Sequence, residues 1–169
     1  MSQLENSKMP NHSDRSNKGF SLIELLVVVA VILVIAAIAI PNFLRSKLRA
    51  NEASTVQSLR NISTAELIYA TSYSIQFSTN LTQLSGSGIN PDLNNAGLID
   101  EVLASGLKSG YVFTYTPILT DPQGHTATYS LTADPQSSIS GQVHFYTDQS
   151  CIIRSNVSGP AGPTDLPLN

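Results

Sequence analysis

Glu24 is the residue of this sequence whose surroundings most clearly demand a chemical partner. It is the single charged side chain in an apolar run that extends from Phe20 to Ile40, and it lies close to the start of that run. An unpaired charge in a hydrocarbon medium costs several kcal/mol. The carboxylate therefore needs a partner, and the element that carries it must supply one or hold the acid at the edge of the apolar medium.

That element is predicted to be a membrane-spanning helix. The 21 residues of the run rise about 1.5 Å each and span roughly 31 Å, the thickness of a bilayer's hydrocarbon core. A secretory signal peptide has a shorter apolar core of about 7 to 15 residues and a small-residue exit. This run instead passes through Pro41 into Asn-Phe-Leu-Arg. We therefore expect one membrane helix that stays with the chain.

The residues around the start of the run carry a family resemblance. The segment Lys18-Gly19-Phe20-Ser21-Leu22-Ile23-Glu24-Leu25-Leu26 resembles the prepilin processing motif of type IV pilins and of type II secretion pseudopilins. The resemblance extends over about residues 18–73. It implies that prepilin peptidase cleaves the Gly19–Phe20 bond on the cytoplasmic side and methylates the new terminus at Phe20. It also implies that Glu24 is the acid of the motif and that Pro41 is a helix-bending proline.

The chemistry of these positions agrees with that resemblance. Gly19 has no side chain, so its backbone can enter a protease cleft unhindered. Cleavage would free an α-amine at Phe20 that is mostly cationic at neutral pH, and the amine of an adjacent subunit could reach Glu24. We expect this inter-subunit pair to select correct insertion into a growing filament. The alternative is that Glu24 lies at the headgroup boundary, where the helix macrodipole favours an acid.

Partners and location follow from the same resemblance. It implies a helical homo-oligomeric filament, with prepilin peptidase, an inner-membrane assembly platform and minor pilins as partners and no cofactor. The leader would be cytoplasmic and the head periplasmic before export to an extracellular pilus or a periplasmic pseudopilus. Flanking charge does not orient the helix, since three cations lie on each side: Lys8, Arg15 and Lys18 before it, and Arg45, Lys47 and Arg49 after it. The second set would lie near the outer headgroups, or face acidic groups of neighbouring subunits after extraction.

The predicted fold is α+β and pilin-like. Residues 1–19 form a leader that is removed, 20–41 the transmembrane or filament-core half of a long helix, and 42–77 its amphipathic half. The core-facing stripe of that second half is predicted at three- and four-residue intervals: Ala53, Val56, Leu59, Ile62, Ala65, Ile68 or Tyr69, and Tyr73. Polar residues are expected on the other faces: Glu52, Gln57, Arg60, Asn61 and Glu66.

Residues 78–157 are predicted to form the globular head, and 158–169 a flexible tail. After a linker-like stretch over 78–91, a short helix is expected within 94–104. Four strands follow, separated by turn residues: Tyr111 to Thr116, Thr126 to Ala133, Val143 to Tyr146, and Cys151 to Arg154. The short spacings predict an antiparallel sheet of three to four strands packed against the long helix.

Nothing in the head indicates an enzyme. His12, His125 and His144 are scattered, and no nucleophile, zinc-ligand or phosphate-loop motif is present. Asp121, Asp134 and Asp148 could bind calcium, although separated aspartates more often supply turn chemistry. The aromatic residues are interpreted as packing: Tyr69, Tyr73, Tyr111, Phe113 and Tyr115.

Cys151 is the single cysteine, so it cannot form the intrachain disulfide that many type IV pilins have. It is expected to pack as a small apolar residue beside Ile152 and Ile153. The net charge is −3, and it becomes −4 for residues 20–169 because the leader carries three cations and two acids. This mildly acidic body has no basic patch that would indicate nucleic-acid binding.

Three functions follow, in order of preference. The first is a structural subunit of a type IV pilus. The second is a pseudopilin of a type II protein secretion system, which would share the same N-terminal segment. The third is a single-pass anchored enzyme or binding domain, which the missing site residues disfavour.

Overall fold

The structure is a computed structural model that describes residues 19–73, 76–86, 90–120, 122 and 126–168. It divides into two units between Ile40 and Pro41, and each unit is described by itself. The expected turn over 121–124 falls almost wholly outside the described residues.

The long helix α1 extends over Leu22–Ser72 and contains Pro41. It ends five residues before the predicted boundary at 77. Within residues 22–40 the large apolar side chains are exposed, from 46% at Val29 to 80% at Leu22. Among the described residues, α1 is the one helix that is long and apolar enough to cross a membrane.

The part of α1 in the second unit buries one face. Leu59, Ile62, Ala65 and Tyr69 are buried, as the apolar stripe predicted. The small hydroxyl residues Thr55, Ser58 and Ser63 are also buried on this face. A hydroxyl can be buried when it bonds to a carbonyl of the preceding turn, as Thr55 Oγ1 does to the carbonyl of Asn51 at 2.9 Å.

Two assignments of residues to faces of α1 were wrong. Ala53 was placed on the buried stripe but is exposed. Of the alternatives Ile68 and Tyr69, Tyr69 is the buried residue and Ile68 is 44% exposed. Glu66 was placed on a polar face and is fully buried. The buried face thus includes small hydroxyl residues, which hydropathy alone counts as polar. Glu66 is buried because hydrogen-bond donors inside the head bind its carboxyl group.

The second unit contains a five-stranded antiparallel sheet in the order β1-β2-β3-β4-β5. The strands are β1 Leu107–Lys108, β2 Tyr111–Thr120, β3 Thr126–Pro135, β4 His144–Asp148 and β5 Arg154–Asn156. The α+β, pilin-like class is therefore confirmed, with five strands instead of three to four.

The additional strand is β1, which pairs with β2 through a two-residue turn. Both turn residues, Ser109 and Gly110, have positive φ values of 53° and 75°. A turn with positive φ at both central positions matches the natural twist of a hairpin. The last strand also begins later than predicted, at Arg154, because Cys151 has a left-handed φ of 59° and belongs to the preceding turn.

Two short helices complete the second unit. α2, Leu81–Leu84, lies in the stretch predicted as a linker, and the side chain of Asn80 caps it by accepting from Gln83 N. α3, Glu101–Ala104, lies within the predicted range and is capped by Asp100. Both contribute apolar residues to a core that includes the inner face of the sheet and the buried face of α1.

The C-terminal segment, whose flexibility stays a prediction, makes backbone hydrogen bonds with the residues around β5. Ser155 N donates to the carbonyl of Leu166 at 3.2 Å, and Leu168 N donates to that of Ile153 at 2.7 Å. The guanidinium of Arg154 also donates to the carbonyl of Asp165 at 2.8 Å. These bonds attach residues 166–168 to the edge of the sheet.

Candidate processing and assembly site

The predicted cleavage site lies at the exposed start of the described chain. Phe20 is 84% exposed, and a Cβ placed on Gly19 would meet no atom within 4 Å. The Gly19–Phe20 bond therefore has the access that proteolysis needs, and cleavage there stays a prediction. Lys18 and the rest of the leader lie outside the described residues.

Glu24 caps the first turn of α1. Its Oε2 accepts a hydrogen bond from the backbone N–H of Ser21 at 3.0 Å, and the Ser21 carbonyl accepts from Leu25 N at 3.3 Å. Ser21 is thus the N-cap residue and Glu24 the third helical residue, and the bond between them is one of the two hydrogen bonds of a capping box. The carboxylate therefore reaches the start of its own helix, while pairing with a neighbouring amine stays a prediction.

The spacing Ser-x-x-Glu before an apolar run is visible in the sequence, and the sequence interpretation missed it. It explains why the helix begins at Leu22 and not earlier. It also gives Glu24 a role within one chain that is separate from any role between chains.

Apolar side chains surround the helix beyond Glu24. A helix that is apolar on every side is stable when it is buried in a membrane or among other protein segments. Pro41 lies inside α1 and has no N–H to donate to the carbonyl four residues before it. A bend at Pro41 stays a prediction.

The second unit holds a buried acid that the sequence interpretation did not identify. Ser78 donates its backbone N–H to Glu66 Oε2 at 2.9 Å and its hydroxyl to Glu66 Oε1 at 2.5 Å. Tyr115 donates its hydroxyl to the Ser78 carbonyl at 2.8 Å. Burial raises the pKa of Glu66, and the two bonds from Ser78 partly oppose that rise. Burial and the nearby Glu66 likewise raise the pKa of Tyr115.

The other candidate residues of the head lie apart. In the part of the chain that the structure describes, no three or more metal-ligating side chains come together. Asp134 contacts His144, with Oδ1 and Nδ1 2.5 Å apart, and Asp148 accepts from Ser150 N at 2.9 Å. Asp121, together with His12 and His125, lies outside the described residues.

Cys151 was expected to be packed, and this prediction was wrong. The residue is exposed, because it occupies a left-handed position of the turn after β4, where Cys151 N donates to the Asp148 carbonyl at 2.9 Å. Its neighbour Ile153 is buried, whereas Ile152 is 43% exposed. The aromatic residues were interpreted correctly as packing, since Tyr69, Tyr111 and Phe113 are buried in the core and Tyr73 and Tyr115 pack against it.

A family model and several known proteins match this chain. Residues 14–40 match the family model described as "Prokaryotic N-terminal methylation motif". A "Fimbrial protein" of Pseudomonas aeruginosa is 34% identical over 113 residues, which are 57% of this chain and 73% of that protein. The chain belongs to the type IV pilin family. No solved structure matches it.

Two further relatives match shorter stretches of this pilin. The "Type IV major pilin protein PilA" of Myxococcus xanthus is 46% identical over 50 residues, 30% of this chain and 23% of that protein. The "Type IV wide pilus major component PilA4" of Thermus thermophilus is 55% identical over 38 residues, 22% of this chain and 29% of that protein. The matched part of the pilin therefore spans less than a third of these two relatives.

Proposed function

We propose that this pilin is a structural subunit that prepilin peptidase cleaves between Gly19 and Phe20 and that polymerises into a type IV pilus through its N-terminal helix. The observation that carries the proposal is the exposed apolar surface of residues 22–40, interrupted by the single charge of Glu24. Such a surface is stable in a bilayer, and identical helices can also bury it against one another. The proposed role is structural and not catalytic.

The subunit would first be held in the inner membrane as a single-pass protein, with its leader in the cytoplasm and its head in the periplasm. An assembly platform in that membrane and minor pilins would then bring it into the filament. The names of the relatives favour a pilus over a secretion pseudopilus, since they are called a major pilin, a wide pilus component and a fimbrial protein.

Mass spectrometry of sheared surface filaments tests the proposal. The expected result is this chain with a methylated Phe20 at its N-terminus. Gly19→Val should retain the leader, because a β-branched residue next to the scissile bond hinders entry into a protease cleft. Gly159→Val is a matched control, since Gly159 is equally open, with no atom within 4 Å of an added Cβ, and lies far from the motif in sequence. Surface filaments that still begin at Met1 would contradict the proposal.

A further inference from the structure

Three cations follow the apolar run within nine residues: Arg45, Lys47 and Arg49. We refer to them as the basic collar. All three side chains are exposed. Neither ion pair that the structure describes includes any of them. The collar is therefore a concentrated positive charge without an anionic partner in the described part of this chain.

The nearest acid along the chain is engaged elsewhere. Glu52 Oε1 accepts from Gln142 N at 3.1 Å, and Asn51 donates its side-chain amide to the Ser140 carbonyl at 2.8 Å. The helix thus meets the loop after β3 two residues beyond Arg49. The collar occupies the short interval between the apolar run and this contact.

The three cations point to two sides of the helix. With 3.6 residues per turn, Arg45 and Arg49 lie about 40° apart around the axis, whereas Lys47 lies about 200° from Arg45. A single partner surface meets one side of a helix. A layer that surrounds the helix can meet both sides, and phospholipid headgroups form such a layer directly outside the hydrocarbon core, whose thickness the apolar run matches.

We propose that the basic collar binds the phosphate groups of anionic phospholipids around the membrane-inserted pilin, an inference that rests on the membrane anchoring in the proposed function. The planar guanidinium groups of Arg45 and Arg49 suit bidentate contact with phosphate oxygens, and the ammonium of Lys47 acts as a point charge. The aliphatic stems of these side chains can lie along the exposed Phe43 and Leu44 while the charged ends reach the headgroups.

A second copy of the chain is a less suitable partner at this stage. Copies held at the same depth in one bilayer bring collar level with collar, so that like charges face each other. An acidic head surface of a second copy could reach the collar only if the two copies were displaced along the helix axis. Such a displacement occurs in a filament and not between subunits held at the same depth in the membrane. The collar therefore binds lipid before assembly.

Lipid selectivity measured by electron paramagnetic resonance tests this inference. The full chain is reconstituted into phosphatidylcholine vesicles that contain a trace of spin-labelled phosphatidylglycerol or spin-labelled phosphatidylcholine. The immobile fraction of each label reports lipid in contact with the protein. We expect a severalfold preference for phosphatidylglycerol that salt weakens and that the R45Q/K47Q/R49Q variant loses. The leader cations are common to both proteins, so the difference reports the collar.

A single-charge pair serves as the control. Arg45→Gln should lower the preference, and Arg60→Gln should not, because Arg60 is an exposed cation of the same helix beyond the contact with the loop after β3. An unchanged phosphatidylglycerol preference in the triple variant would overturn the inference. If that variant also formed fewer filaments, the result would indicate that the collar binds a second copy of the chain instead of lipid.

Failure of the membrane anchor is distinguishable from failure of the collar. Cys151 is the single cysteine and is exposed, so a membrane-impermeant thiol reagent reports whether the head is outside the vesicle. A wild-type chain that does not float with vesicles contradicts the anchoring itself and, with it, the collar. A chain that floats and labels but shows no lipid preference contradicts the collar alone.

Discussion

Ser78 donates two hydrogen bonds to the fully buried carboxyl group of Glu66, one from its backbone N–H and one from its hydroxyl. Ser78 follows the end of α1, and Glu66 lies in its last two turns. The pair therefore fixes the path by which the chain leaves the helix. Because burial raises the pKa of Glu66, this junction also responds to pH.

Glu66→Gln should alter how stability depends on pH. A carboxyl group whose folded pKa is raised contributes stability that is fully present below its unfolded pKa and is lost as the pH rises through the folded pKa. Glutamine imitates the protonated acid and does not titrate. The unfolding free energy of the variant relative to wild type should therefore increase as the pH rises from about 4 toward neutral. Thermal unfolding of the full chain in detergent, followed by near-UV circular dichroism, measures this difference.

Glu66→Ala is the contrasting change. It leaves the buried N–H of Ser78 without its acceptor, so this variant should be less stable than Glu66→Gln by about 1–3 kcal/mol, and this difference should persist across the same pH range because neither variant has an acid at this position. All other titrating groups are common to the three proteins and cancel in the comparison. A Gln variant that loses stability with rising pH in parallel with wild type would contradict the role assigned to Glu66.

Gly141→Ala should destabilise the head through a steric clash. A Cβ at Gly141 would lie 2.0 Å from the hydroxyl oxygen of Tyr111, whose side chain is fully buried and donates to the Val143 carbonyl at 2.9 Å. Displacing that ring should cost about 1–3 kcal/mol. Gly162→Ala is the matched control, since an added Cβ there meets nothing within 4 Å. Equal melting temperatures for the two variants would refute the packing described at Tyr111.

The buried tyrosines should resist ionisation. Burial raises the pKa of Tyr111 to about 12, and it also raises the pKa of Tyr115 and Tyr129. Because their pKa values are raised in the folded state, these tyrosines contribute to the stability of the head below pH about 10. That contribution is lost as the pH rises above this value. Most of the increase in absorbance at the phenolate band should therefore occur above pH about 10 and coincide with unfolding. A single unshifted transition in the folded protein would contradict this expectation.

The sequence predicted those features that depend on one dominant physical requirement. The apolar run before Pro41 predicted a long helix, and the short spacings between strand-like runs predicted the antiparallel strands around Phe113 and Ala133. The hydrogen-bonded turn at Ser109 and Gly110 was missed because it creates a strand of only two residues. Such a strand has no periodicity to detect.

Burial of Glu66 was missed for a different reason. An acid among helical residues is assigned to solvent unless its donors are known, and Ser78 and Tyr115 approach it only when the chain folds back. The exposed position of Cys151 depends likewise on the turn at Asp148. The Ser-x-x-Glu spacing of a capping box at Ser21 and Glu24 was readable in the sequence, but the interpretation considered only charge pairing and the helix macrodipole for Glu24.

Glu24→Gln and Glu24→Ala together separate the two roles of Glu24. Glutamine keeps an oxygen that can accept from Ser21 N, so it retains the helix cap but removes the charge, whereas alanine removes both. If an inter-subunit ion pair selects insertion, both variants should be cleaved at Gly19 and inserted in the membrane, and both should yield few or no surface filaments. If the cap alone matters, only alanine should fail, because losing a capping interaction costs about 0.5–2 kcal/mol. Shearing of surface filaments gives the yield, and mass spectrometry of the cell-bound pool confirms processing to Phe20. Wild-type filament yield from Glu24→Gln would refute the ion pair and leave Glu24 as a capping residue.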